Sequence, residues 1–380
     1  MLKKLSRTDI VITWLIGAFI LCTTLLNNTF KDDFKKYDNS TLSYEKARVI
    51  SVIKENLEKE QISNRRYSGI QDLEVELLTG ELKGEKAEVT NYITQKHNVV
   101  AKEGKEIMVC VDRPSEDFYK VSIYNYSRNN HIYIIVIVFF VIMVLIGRGK
   151  GFRSMIGLLF TFYSIIFFMI PFIYRGYSPI ILSIIVSIIS TIVTLFLLNG
   201  LSRKTIVATL ATCVGVIISG VIFYLISNLL NISGFNLDEA ESLILIAQNT
   251  GLKIRDILFS GILISSLGAV MDVAMSIASS IYEINELNRD LDMKTIFNSG
   301  INIGRDMIGT MSNTLILAFA GTSLSTMLAL YSYNTQFNQL MSSDFIAIEF
   351  AQSISGSIGI ILAVPITSVI SAYVYKKKIR

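Results

Sequence analysis

The chain reads as a membrane all-α protein of about eight transmembrane helices, with a small β domain on the outer side between helices 1 and 2. Three observations predict this class. Of 380 residues, 51% are hydrophobic and only 17% charged, and the mean hydropathy of +0.51 lies outside the range of soluble globular chains. Eight apolar runs approach the length of about 20 residues that a helix needs to cross a bilayer core of about 30 Å. Lys and Arg gather at alternate ends of those runs, as the positive-inside rule requires.

Residues 10–26 are the first run, preceded by Lys3, Lys4 and Arg7. Its length, and the lack of a following A-x-A site, favour an uncleaved anchor over 1–29 rather than a cleaved signal peptide. Residues 30–130 are the outer domain. Its β-type runs at 47–53, 72–78 and 106–111 are separated by turn signals at 79–80, 83–84, 103–104 and 113–114, which predicts a small β-barrel, OB-like in size. Glu74, Glu76, Glu81, Glu85 and Glu88 nearly offset the bases there, so no nucleic-acid partner is expected. Tyr119, Tyr124 and Tyr126 stand at the membrane end of the domain and read as interfacial anchors.

Residues 131–380 are a seven-helix membrane block, with runs at 131–146, 155–174, 179–198, 205–230, 257–281, 308–331 and 345–375. An N-terminus in the cytoplasm places 15 Lys and Arg inside and leaves Arg175, Lys253 and Arg255 in the short outer loops, a ratio of 15 to 3. Both termini are then cytoplasmic. Cys22, Cys110 and Cys213 form no CxxC pair, and His97 and His131 leave the membrane interior without imidazole. Neither a metal site nor another cofactor is expected. The segment 147–151 lacks the spacing and the Ser or Thr of a phosphate-binding loop.

The sixth to eighth runs carry polar stripes at helical spacing. Ser265, Gly268, Asp272, Ser276, Ser279 and Glu283 share one face of the sixth. Asp272 falls near mid-span, where a carboxylate costs at least about 2.5 kcal/mol unless protein, water or an ion meets it. Helix cross-bonding would explain the serines, but an asparagine would serve as well at a lower desolvation cost. The seventh carries Asn302, Arg305, Asp306, Gly309, Thr310 and Asn313, with Arg305 and Asp306 at its cytoplasmic entrance. The eighth carries Glu349, Gln352, Ser353 and Gly356, with Pro365 further in. Glu349, about one turn into its helix, could instead reach interfacial water. Serines and threonines in the fourth and fifth spans read as packing seams, and 282–304 as a solvated cytoplasmic hairpin.

The stretches GAVMDVAMSIAS at 268–279 and GRDMIGTMSNTL at 304–315 resemble the signature stretches of YibE/F-like membrane proteins. The resemblance extends to RGYSP at 175–179, GLSRKT at 200–205 and VPIT at 364–367, and is looser in the outer domain. Asn199 stands where many relatives carry a histidine, which argues against an essential imidazole there. The resemblance implies a bacterial cell-membrane protein with one span, an outer domain and a helical block, and a transport role without a named substrate.

The leading expectation is a secondary transporter or permease. Asp272 would bind a proton or cation, with Ser276, Thr310, Asn313, Glu349 and Gln352 along the polar path and Glu283, Arg305 and Asp306 at its cytoplasmic entrance. The alternative is a non-transporting envelope assembly or sensor protein whose outer domain binds a partner. An intramembrane protease built on Asp272 and Asp306 is set aside, because Asp306 reads as lying at the inner helix end, far from mid-membrane. The expected partners are the lipid bilayer, a small solute or ion, and either a second copy of the chain or an envelope protein.

Overall fold

The structure, a computed structural model, describes residues 7–29, 41–59, 66–115, 118–234 and 240–376. Lys3, Lys4 and the charged tail 377–380 lie outside the described residues, as does the stretch 30–40 at the start of the outer domain. The chain divides into two compact units, one of residues 35–142 and one of residues 1–34 with 143–380.

The first unit is a curled five-stranded antiparallel sheet of β1 (Leu42–Lys59), β2 (Tyr67–Leu77), β3 (Lys86–Ile93), β4 (Glu106–Ser115) and β5 (Phe118–Tyr126), in the order β3-β2-β1-β4-β5. Alternation drives it: Leu73, Val75 and Leu77 of β2 and Ile107, Val109 and Val111 of β4 all point into one core. The long β1 pairs with β4 through its first half and with β2 through its second. Bulges between Val49 and Ser51 and between Val52 and Lys54 bend it, and β3 comes round against β5. Turns fall at Gly80 and Gly84, where φ is positive, as their sequence signals predict. The signal at 113–114 misplaces the end of β4, which runs on to Ser115. β1 leaves β4 at Asp112 and the β4–β5 register slips there, so Pro114 needs no ladder donor.

Two buried amides hold the connection from β3 to β4. Gln71 accepts from Ala101 N at 3.0 Å and donates to Ala101 O at 3.1 Å, while Asn91 donates to Val99 O at 2.7 Å. The three tyrosines of β5 are engaged within the sheet domain. Tyr126 accepts from Val100 N at 2.9 Å, Tyr124 packs edge-on to Tyr44 at 4.7 Å, and Tyr119 shares a hydrogen bond with Glu85 that raises its hydroxyl above the ordinary pKa.

The second unit is helical: α1 (Arg7–Thr29), α2 (Asn129–Tyr163), a π-helical stretch (Ser164–Met169), α3 (Ile170–Tyr174), α4 (Pro179–Asn199), α5 (Arg203–Leu229), α6 (Ala240–Thr250), α7 (Ile254–Leu287), α8 (Met293–Thr322), α9 (Leu324–Ser332), α10 (Phe337–Met341) and α11 (Asp344–Lys376); the first residues of α2 belong to the sheet unit. Among the described residues six helices are long and apolar enough to cross a membrane, or seven if α8 and α9, bent by 54°, count as one. The count of eight differs because the two helices within 129–174 meet directly and count as one segment, without the loop predicted around 147–154. It is broken at a single residue, Arg148, with φ 49° and ψ −131°. A Cβ on Gly151 would strike the Met143 carbonyl, so the chain doubles back there, which a straight helix forbids.

The core of this unit is built from α5, α7, α8 and α11. Small residues set the spacing: a Cβ on Gly304 would collide with Val364, and one on Gly359 with Ser219. The hydroxyl stripes of α4 and α5 are packing seams, as predicted; Ser183, Thr209, Thr212 and Ser219 are buried and donate to carbonyls of their own helices at 2.7–3.1 Å. The predicted hairpin 282–304 is mostly helix. Ile281, Ile296, Gly300 and Gly304 are buried, which leaves a turn of only 288–292 between α7 and α8.

Candidate functional site

α7 presents two contrasting faces. Ile262, Leu263, Val270, Val273, Ile277 and Ile281 are buried against the other helices. On the opposite strip Ser265, Gly268, Asp272 and Ser276 are exposed, and a Cβ on Gly268 would meet nothing within 4 Å. The apolar face takes the helix contacts and the polar face is left outside the bundle.

Contacts fix the register of α7, α8 and α11. Ser266, Leu315 and Gly356 meet at one level, and Ile281, Gly300 and Ser368 at another. At about 1.5 Å per residue, Asp272 lies about 9 Å from the first level toward the second, Thr310 about 8 Å and Asn313 about 3 Å. Asp272 and Thr310 are thus level, with Asn313 about one turn away. Thr310, Asn313, Arg305 and Asp306 are all exposed, and Arg305 donates to Asn302 at 3.3 Å.

Asp306 lies deeper in its helix than the sequence suggests. α8 starts at Met293, and the same register puts Asp306 only about 4 Å along the axis from Asp272. No hydrogen bond or ion pair joins the two among the described residues. Glu349 lies on the far side of the first level, about 20 Å from Asp272 along the axis, so one compact site does not contain both. Glu349 is half-buried, and its Oε2 is buried without a hydrogen-bond partner, as is the hydroxyl of Ser355. Gln352 is half-buried beside them. No group of three His, Cys, Asp or Glu able to hold a metal occurs among the described residues.

Glu283 lies at the end of the bundle where α5 begins and α7 and α11 end. Lys204 Nζ is 3.9 Å from its carboxylate and 5.0 Å from the Tyr282 ring. Beside it opens a cleft of about 470 Å³ that sequence reasoning missed. Ser202 and Arg203 line it from the start of α5, Asn285, Glu286 and Arg289 from the end of α7 and the turn beyond, and Tyr282 and Tyr375 supply ring walls. The advance signals were the GLSRKT stretch at 200–205, which contributes two of the lining residues, and the charged stretch 282–304, which contributes Tyr282, Asn285, Glu286 and Arg289.

No curated protein and no solved structure matches the chain significantly. A model of one family, described as YibE/F-like protein, matches residues 135–377. That match runs from early in α2 through α11, takes in both stretches around Asp272 and Arg305 and leaves out the curled sheet; with more than half of its length accounted for, the chain belongs to the YibE/F-like family.

Proposed function

We propose that the protein is a secondary transporter or permease of a cell membrane, and that Asp272 binds the coupling proton or cation. One observation carries this reading: an acid half-way along a membrane-length helix stands on an exposed polar strip while the opposite face of that helix is buried in apolar contacts. Facing lipid, such a carboxylate is costly. The strip therefore meets a second copy of the chain, and Ser265, Gly268 and Ser276 are small enough to let two helices approach closely. Thr310, level with Asp272, and Asn313 extend the polar path on α8, and the paired Lys204 and Glu283 mark its entrance. The acid and hydroxyl lining suits a small solute or ion.

In this reading the corner at Arg148 lies at the cytoplasmic face. A 46-residue helix would be about 69 Å long, more than twice the bilayer core, so 129–174 makes two spans and the total is eight. Both termini are cytoplasmic, and the sheet domain, with its OB-like double pairing of β1, lies outside. Asp272→Asn in proteoliposomes is expected to lower proton-dependent uptake or efflux at least tenfold, while Asp256→Asn, in the first turn of the same helix and off the strip, leaves it within twofold. Full coupling in Asp272→Asn would refute the role of the carboxylate.

The alternative, an envelope assembly or sensor protein, is favoured by a cleft of about 740 Å³ in the sheet unit, lined by Tyr67, Lys102, Lys105, Tyr126 and Arg128 among others. It makes the opposite forecast in a complementation assay: deleting 31–128 abolishes function and Asp272→Asn is silent.

A further inference from the structure

The cleft where α5 begins and α7 and α11 end lies beside the Lys204–Glu283 pair, and its own lining residues are distinct from that pair. Asn285 is 8% exposed, and its side-chain amide makes no hydrogen bond among the described residues, although buried amides are normally paired. Asn285 lines the cleft. The Tyr375 hydroxyl is buried and likewise has no partner. The unpaired Asn285 amide at the cleft is open to an acceptor from outside the chain.

The charge there is positive. Arg289 pairs with Glu286 at 2.9 Å, but Arg203 has no carboxylate partner among the described residues, and Lys376 Nζ sits on the Arg289 carbonyl at 2.8 Å. Arg203 is also the first residue of α5, behind the Ser202 cap, where the helix dipole and free N–H groups favour negative charge. A volume of about 470 Å³ holds a phosphate group with part of the alcohol it esterifies, and the Tyr282 and Tyr375 rings, 6.2 Å apart, offer that alcohol an apolar wall. We propose that this cleft binds a phosphate-bearing anion, with Arg203 as its charge partner, Arg289 shared between the anion and Glu286, and Asn285 as its inner donor. The group is either the head of an anionic phospholipid or a free phosphate.

The test uses the full chain, purified in detergent and delipidated, with thermal midpoint followed against inorganic phosphate at constant ionic strength and, separately, against dioleoyl-phosphatidylglycerol in mixed micelles. Chloride and dioleoyl-phosphatidylcholine are the controls. A saturable rise is expected with phosphate or phosphatidylglycerol and not with the controls; the ligand that produces it identifies the source. Arg203→Gln should weaken the apparent affinity about tenfold, the loss of one charge-assisted hydrogen bond. Asn285→Asp, equal in size but repelling an anion, should abolish the rise, and retention of the ligand in native mass spectrometry checks the same variants without relying on the midpoint. No rise with either ligand, an equal rise with the controls, or a rise and retention unchanged in either variant would overturn the assignment. Because no transport is measured, its failure and that of the Asp272 proposal are separate results.

Discussion

Two glycines of α8, five residues apart, separate the packing role of small residues from the open polar face. Gly304 lies against Val364, a stiff β-branched side chain that has nowhere to go. Gly304→Ala is therefore expected to cost about 1–3 kcal/mol by overpacking, read as a lower thermal midpoint. Gly309 has open space where a Cβ would stand, so Gly309→Ala should leave the midpoint unchanged or raised, alanine being the better helix former. Equal losses at both positions would mean that the open face is packed within the single chain. The shared face of Asp272 and Ser276 was legible from their spacing, but its outward direction was not. Lipid and protein interior are similarly apolar, so a wheel of small and apolar residues does not say which side another helix covers. Asn285 was illegible for another reason: Arg203 and Tyr375, which form the cleft with it, are far away in sequence.

At the scale of elements, the turn between α7 and α8 depends on a cap. Asp292 accepts from Thr295 N at 3.1 Å, and the hydrogen bonds from Thr295 hold its carboxyl below the ordinary value of 3.8. A lowered folded-state pKa gives stability that is complete above the unfolded value and is lost as pH falls through the folded one. Asp292→Ala should therefore lower the midpoint at neutral pH, with the deficit closing only below about pH 3.8; a deficit that persists undiminished in acid would exclude the charge as its cause. The charged residues around this turn suggested a solvated hairpin, but they sit at helix ends whose other faces are apolar, and the helices continue through them. In the sheet domain the alternating strands and the glycine turns were readable, whereas the Gln71–Asn91 pair was not, since an amide on a strand looks the same in sequence whether it is solvated or buried. Gln71→Ala should cost about 1–3 kcal/mol and increase hydrogen exchange across residues 94–105 in the full chain. Unchanged exchange there would mean that the connection is held by other contacts.

For the molecule as a whole, the break at Arg148 decides how many times the chain crosses. Hydropathy gives two apolar runs here and the backbone gives one helical segment with a corner. The sequence could not distinguish a corner from a loop, because Gly147, Gly149 and Gly151 suit either. In the two-span reading proposed above, residues on either side of 129–174 emerge at the same face, and residues around 150 at the opposite one. In that reading the charge bias of 15 to 3 predicts that the face near 150 is cytoplasmic. After replacement of Cys22, Cys110 and Cys213 by serine, single cysteines at Ser127, Lys150, Tyr177 and Asp290 can be probed in right-side-out cells with a membrane-impermeant maleimide. Labelling at 127 and 177, with protection at 150 and 290 until the membrane is permeabilised, is the expected pattern. If 127 and 177 label from opposite sides, the segment crosses once, every later helix reverses direction, and the cleft beside Arg203 moves to the other face of the membrane, out of reach of cytoplasmic phosphates.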